Sequence, residues 1–591
     1  MTGTDQKRNI YIDAMKGLAI IAVVLYHFGG NVLPYGYLGV DVFFVLGGFL
    51  LIRQLNAQFE KGEFGYFRFL LKKLLRLWPL VLLAVIVSML AGAFLMLPND
   101  YENLAESAVA SSVFANNVLQ CITTKNYWDI VNLYKPLMHL WYVGVLMQAY
   151  AVLPLLYLAV VKILKNVRKA MAFVTVALSV LSLIFYLIPA FSSAWKFYYL
   201  PFRIFELTLG GIPALYGCKL GEKGKKAASI VSAVLIAVML SMRWQIGSQS
   251  TMVLITASLS AAFLFFTEKL EFGAVVRKAA SVLAFLGKRS YSIYIWHQVI
   301  IAFAFYSVFA DQSVYAFLAI AAATAVVSLL SYRFLEQPIG KAIRNRKEKT
   351  ALFAASLATA AAAAAVSFFI YRQAGVVRDV PELGIEKSEA HLGMHSEYCD
   401  RVYRWDRAFT EDNNTKVLVI GNSFGRDFAN ILYESGLDLD VTFLYYSEDA
   451  IREKSDRIER ADRVFYALGL QYGPVPQPVV DAVDPAKLYV VSNKNYGTSN
   501  GIVYAKRGTE SYYDSTVEYP ELLKADNETN KSAWNERFID LMAPVLDENG
   551  RISVFTDDRK LISQDCRHLT EYGAKFYARR LDLTKILNNG H

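Results

Sequence analysis

Residues 350–382 read TALFAASLATAAAAAAVSFFIYRQAGVVRDVPE, and the chain changes character inside that stretch. Up to Tyr371 it is an apolar run of about 20 residues, enough to span a hydrocarbon core about 30 Å thick. Its alanine block, Ala360 to Ala365, is low in complexity but favours helix. Beyond Tyr371 charged residues recur throughout, and apolar positions come in short runs. Many more runs of membrane-crossing length lie on the N-terminal side. The reading is therefore a polytopic α-helical membrane domain over residues 1–371, a linker and lead-in over 372–415, and an α/β domain over 416–591. Composition agrees: 591 residues that are 55% hydrophobic, 14% aromatic and only 19% charged are too apolar for a soluble protein and too long for one domain.

Working outward, a window of about 20 residues predicts about 11 spans. They fall near 12–30, 37–55, 77–98, 137–160, 170–190, 198–217, 227–242, 250–267, 280–309, 314–334 and 350–371. Lys and Arg gather on alternate loops: Lys7 and Arg8; Arg68, Lys72, Lys73 and Arg76; Lys162, Lys165, Arg168 and Lys169; Lys223, Lys225 and Lys226; Arg277 and Lys278; Arg344, Arg346 and Lys347. Basic loops face the cytoplasm. That predicts a cytoplasmic N-terminus and, after an odd number of spans, an extracytoplasmic C-terminal domain. The first apolar stretch, bordered by Asp13 and Lys16 and lacking a small-residue cleavage site, is expected to be a retained helix rather than a signal peptide. The net charge of +9 belongs to these juxtamembrane runs, so no nucleic-acid partner is expected.

After about Thr415 short apolar runs alternate with helical patterns: KVLVIG, a helix from about Gly425 to Glu434, VTFLYY, RVFYALG, KLYVVS, a helix near Asn535 to Val545, and RISVF. Strands alternating with helices predict a parallel sheet covered on both faces. The segment VLVIGNSFGRDF (417–428) puts Ser423 at a strand's end and a helix's start, where backbone N–H groups can stabilise an oxyanion. A serine there is also an ordinary helix cap. Near the end of the sequence, QDCRHLTEYGAKFYARRL (564–581) sets Asp565 and His568 three apart before an amphipathic helix. There the carboxylate can orient the imidazole, and the imidazole can serve Ser423 as general base.

Together these segments resemble the SGNH (GDSL-like) hydrolase family. The resemblance implies Ser423 as nucleophile, His568 as base and Asp565 as its orienter. The usual Gly-Asp-Ser is here Gly421-Asn422-Ser423, and the remaining family blocks have no clear match. Asn422, Gly469 and Gln471 are the oxyanion-hole candidates. Among the four cysteines, Cys121, Cys218, Cys399 and Cys566, no paired metal-ligand spacing occurs, so no metal site is indicated. Cys399 and Cys566 share the oxidising side under this topology. A disulfide between them that braces the catalytic loop and two free thiols are the alternatives.

Ionisable groups within spans are costly and so are functional candidates. In IYIDAMKGLAIIAVVLYHFGG, Lys16 and His27 are about 16 Å apart along a helix and on one face. A lone histidine of this kind can also be a packing residue, but Asp41, His139 and His297 keep it company in aromatic-rich surroundings.

The ordered segments IDAMKGLAIIAVVLYH, GVDVFFVLGGFLL, KKLLRLWPL, PLMHLWYVGVLMQAYAVLPLL, GKRSYSIYIWHQ and SYRFLEQPI resemble acyltransferase family 3 over roughly residues 8–340. That family acylates bacterial surface glycans, and its motifs give weight to Lys16 with His27 and to Lys73 with Arg76. The basic cluster of Arg68, Lys72, Lys73 and Arg76 is either a topology signal or a coenzyme A phosphate contact. Many members carry serine where Gly47 stands and glutamate where Leu146 stands. Fusion to an SGNH domain resembles O-acetyltransferases of peptidoglycan, O-antigen or other envelope polysaccharides. The expected enzyme is a multi-pass protein of the bacterial cytoplasmic membrane that takes acetyl-CoA as donor substrate, with no permanently bound cofactor, and acylates an envelope glycan. The expected donor contacts are Lys16, Lys73 and Arg76, with His27 assisting transfer. The rivals are a membrane-anchored glycan O-acyl esterase and a transporter or sensor with an extracytoplasmic binding domain.

Overall fold

Apolar side chains cover the outward as well as the inward faces of the N-terminal helices. On Val167–Leu187, for example, Phe173, Val176, Val180 and Ile184 recur at helical spacing and are all exposed. A helix apolar all round belongs in a core or in lipid. The computed structural model describes residues 9–29, 32–123, 133–268, 270–309, 312–410, 414–467, 469 and 473–588. Among them, nine helices are long and apolar enough to cross a membrane. Of the other two expected spans, 198–217 is broken into short pieces that end in Ile204–Leu215. The other, 280–309, is two helices, Ala274–Gly287 and Ser290–Ser307, and the serines, tyrosines, His297 and Gln298 of the second dilute its apolarity.

The chain divides into two compact units. The first is Met1–Gly92, Leu104–Phe305 and Asp311–Phe368; the second is Ala93–Asn103, Tyr306–Ala310 and Phe369–His591. In the first unit we label α1 (Ile10–His27), α2 (Gly39–Glu60), α3 (Tyr66–Leu95), α4 (Trp141–Leu164), α5 (Ile204–Leu215) and α6 (Ser290–Ser307). Helices α2 and α5 cross at backbone contact. A Cβ on Gly48 would lie 1.9 Å from the carbonyl oxygen of Leu207, and one on Gly210 would lie 2.0 Å from that of Val45. In lipid such close van der Waals packing replaces the hydrophobic effect as the association force. Arg203 binds α2 to α5 as well: its Nη1 donates to Asp41 at 2.8 Å and to Glu206 at 2.6 Å, and all three side chains are buried.

In the second unit β1 (Thr415–Gly421), β2 (Leu439–Tyr445), β3 (Arg463–Ala467), β4 (Leu488–Val491) and β6 (Phe538–Ile539) form a parallel sheet in the order β2-β1-β3-β4-β6. Strands β5 (Thr516–Val517) and β7 (Ile552–Ser553) pair antiparallel apart from it. Along β1, Val417 and Val419 enter one apolar cluster and Leu418 and Ile420 the other, so both faces are covered. The first face receives α7 (Ser423–Glu434) through Phe428 and Ile431, and α8 (Glu571–Arg580) packs beside it. The helix expected near Asn535 to Val545 instead spans Glu521–Trp534. Asn535 ends it at φ 48°, and Ile539 is drawn into the sheet beside Val491.

The crossing of α2 and α5 is testable. Gly48→Ala is expected to cost about 1–3 kcal/mol by overpacking. Gly47→Ala, whose Cβ would meet only Leu146 at 3.9 Å, is expected to stay within about 0.5 kcal/mol of wild type. Unfolding of the two variants in detergent, followed by tryptophan fluorescence, makes the comparison; equal midpoints would refute the contact.

Candidate active site

Strand β1 is buried from Val417 to Gly421 and lies between β2 and β3, so its carboxyl end is held from both sides. The turn into α7 needs glycine: a Cβ on Gly421 would stand 2.2 Å from the carbonyl oxygen of Ala467. Asn422 caps the helix, its Oδ1 accepting from the N–H of Phe424 at 2.9 Å. Ser423 is therefore the first helical residue rather than the cap, and its hydroxyl is free to face elsewhere. It faces His568, with Oγ 2.7 Å from Nε2, while Nδ1 of His568 is 2.6 Å from Oδ2 of Asp565. With Nδ1–H donated to the carboxylate, Nε2 carries the lone pair, the arrangement general-base chemistry requires.

The loop carrying Asp565 and His568 folds back on itself through a bridge between Ser563 and Leu569. Oδ1 of Asp565 accepts from the N–H groups of His568 at 2.7 Å and Arg567 at 3.0 Å. Burial pushes the Asp565 carboxyl up, but the hydrogen bonds from the His568 ring and from these N–H groups outweigh it and hold it well below the usual carboxylate range. The side chains of His568 and Asp565 remain 30% and 39% exposed, so a substrate has access.

The oxyanion candidates fare differently. Asn422 Nδ2 donates to the carbonyl oxygen of Gly469 at 3.3 Å, which brings these two residues together beside Ser423. Gln471 lies outside the described residues. Of the two alternatives for Cys399 and Cys566, the structure has the free thiols. Cys399 Sγ points to the carbonyl of Leu569 at 3.7 Å, whereas Cys566 Sγ donates to Oδ1 of Asn500 at 3.1 Å. Burial pushes both thiols up, Cys399 to about 11, so little of the reactive thiolate is present.

Two residues at this site escaped the sequence reading. Lys494, fully buried, forms an ion pair with Asp427 of α7 at 2.7 Å and donates to the carbonyl of Arg567 at 2.9 Å. The available signal was weak: Asp427 lies one turn beyond Ser423, but Lys494 stands in an unremarkable polar stretch after β4.

In the first unit, Lys16 and Arg76 line one cavity of about 150 Å³ together with Lys288 and Glu336. Lys73 lies over the rings of Phe69 and Tyr150, 5.2 and 4.6 Å from their centroids, and Tyr150 lines the cavity. Gly47 and Leu146, the two departures from the family motif, both border it. His27 is not among its lining residues. Its Nδ1 donates to the carbonyl of Val23 at 2.9 Å, and its ring is 5.0 Å from that of His297, which in turn is 5.2 Å from that of His139.

Residues 9–333 match the Acyltransferase domain family, acyltransferase family 3. The chain belongs to this family. Over 353 residues it is 27% identical to the Peptidoglycan O-acetyltransferase OatA of Listeria monocytogenes, a match covering 56% of this chain and 55% of that relative. Over 345 residues it is 27% identical to the O-acetyltransferase OatA of Staphylococcus aureus, covering 56% of this chain and 57% of the relative. The chain thus spans little more than half the length of the curated relatives it matches. No solved structure matches it. The parallel α/β fold of the second unit is compatible with the SGNH resemblance of this acyltransferase's C-terminal region.

The lowered Asp565 value gives a pH prediction with a definite sign. A carboxylate depressed in the folded state contributes stability above its unfolded value, about 3.9, and loses it as pH falls toward the folded value. Below about pH 4 the thermal midpoint of wild type should therefore fall more steeply than that of Asp565→Asn. Parallel curves from fluorescence melts across that range would refute the assignment.

Proposed function

We propose that this acyltransferase O-acetylates an envelope glycan, using acetyl-CoA on the cytoplasmic side and the Ser423–His568–Asp565 set on the outer side. The observation that carries the reading is the continuous hydrogen-bonded chain from Ser423 to Asp565 in a protein whose first half belongs to an acyltransferase family. The names of the relatives, one of them a peptidoglycan O-acetyltransferase, support the acceptor class. The odd number of helices long and apolar enough to cross a membrane among the described residues, together with the basic loops, supports opposite sides for the N-terminus and the second unit.

For the donor, the cavity bordered by Lys16, Arg76 and Lys288 joins three cations to apolar walls, which suits a phosphate-bearing thioester. Lys73, over Tyr150, adds positive charge beside it. His27 assists the first transfer. On the outer side His568 Nε2 takes the proton of Ser423, whose Oγ attacks the acyl carbonyl; the proton then goes to the leaving group. The acetyl-Ser423 ester is next attacked by a sugar hydroxyl whose proton passes to His568, and cleavage of the ester returns the serine. The helix N-terminus at Ser423 and the amide of Asn422 supply donors for the developing oxyanion.

The test follows labelled acetyl-CoA into glycan in membranes containing the full chain. Ser423→Ala and His27→Ala are expected to abolish incorporation, and Arg76→Ala to raise the acetyl-CoA KM about tenfold or more. Full transfer by Ser423→Ala would reduce the second unit to a binding module. Net loss of glycan acetyl groups on expression of the wild type would identify an esterase instead.

A further inference from the structure

The segment after β4 grips the loop that carries Asp565 and His568. Asn500 Nδ2 donates to the carbonyl of Ser563 at 2.5 Å, and its Oδ1 accepts from Cys566 Sγ. The N–H of Tyr496 donates to the carbonyl of Cys566 at 2.8 Å, holding that residue at φ 66°, where non-glycine residues rarely sit. Lys494 goes further than either. Its Nζ donates to the carbonyl of Arg567, on one side of His568, and to Oδ2 of Asp427. The same Oδ2 accepts from the N–H of Leu569, on the other side of His568, at 3.0 Å. Asp427 belongs to the helix that Ser423 begins, and Lys494 Nζ stands 3.9 Å from the ring centroid of Phe424, the residue after Ser423.

We propose that Lys494 is a positioning residue: with Asp427 it forms a buried clamp that fixes the main chain on both sides of His568 and so sets the imidazole against Ser423. The proposal rests on Ser423 being the acyl-accepting nucleophile. Stability alone does not call for these charges, because a buried ion pair is commonly no more stabilising than apolar residues of similar volume. What the pair supplies is geometry. The ammonium is spent on a carboxylate, a main-chain carbonyl and an aromatic face, and each of these belongs to one of the two segments that must meet. A displacement of about 1 Å between nucleophile and base is enough to cost about 100-fold in rate.

The clamp is tested on the full chain in detergent with a fluorophosphonate, which reacts with an activated serine, and with 4-nitrophenyl acetate for kcat and KM. Lys494→Met removes the cation on Oδ2 of Asp427, leaving the carboxylate only Arg426, at 3.2 Å from Oδ1, and is expected to lower the melting midpoint. The neutral pair Lys494→Met with Asp427→Asn is expected to melt near wild type. Its phosphonylation rate and kcat are nonetheless expected to fall about 100-fold, with KM within about twofold. Wild-type rates in the folded double variant would overturn the clamp while leaving Ser423 as nucleophile. Wild-type protein that is not labelled, or whose labelling survives Ser423→Ala, would overturn the nucleophile and the clamp together.

Discussion

The hydrogen bond between Ser423 and His568 joins residues 145 apart in sequence, the first residue of α7 and a residue of an irregular loop. Closing so long a loop costs entropy, and nothing local repays it. The contact exists because each partner is delivered by something stiffer. Ser423 follows a strand with no freedom to shift, buried on both faces and paired on both edges. The His568 loop has no such strand, so it borrows its position from the segment after β4 and from α7 itself. A buried lysine and a buried aspartate are the joint between the two.

The same rule governs charge in the first unit, with different neighbours. Asp41, Arg203 and Glu206 are buried where no water can solvate them, and they survive because one guanidinium serves two carboxylates. The cations at and beside the cavity are placed otherwise. Lys16, 3.5 Å from Asp13, borders an open volume together with Arg76, and Lys73 lies on aromatic faces. The Asp41–Arg203–Glu206 charges are neutralised by one another, whereas the cations proposed for donor binding border a volume in which an anion has room.

What could be read from sequence was whatever a short window contains. The apolar runs, the strand before Ser423 and the three-residue spacing of Asp565 and His568 are all local patterns, and each led to the right element. Relations across the chain, apart from that of Ser423 with His568, were not legible. Cys399 and Cys566 share a neighbourhood, yet their sulfurs point at Leu569 and Asn500, a matter of side-chain direction that spacing does not encode. Lys494 has the same appearance in sequence as any surface lysine, and only its burial separates it from the others. The count of about 11 spans is approximate: among the described residues nine helices are long and apolar enough to cross a membrane, and Ser290–Ser307 falls short of that apolarity because it carries His297 and Gln298.

The exposure of His568 and Asp565 bears on how a transferase differs from a hydrolase with the same three residues. The acetyl-Ser423 ester proposed above would, in so open a site, be accessible to water, and His568 would activate water as readily as a sugar hydroxyl. Exclusion of solvent by the protein alone is therefore not what gives transfer its advantage. The acceptor has to supply the difference by being held. A bound and oriented hydroxyl can reach an effective concentration on the order of 10⁵–10⁸ M, far above any bulk solvent. That advantage exists only while the base is fixed to a fraction of an ångström, since a mobile imidazole favours whichever small nucleophile arrives first. A charged clamp under His568, costly to bury, is the kind of feature such a requirement retains.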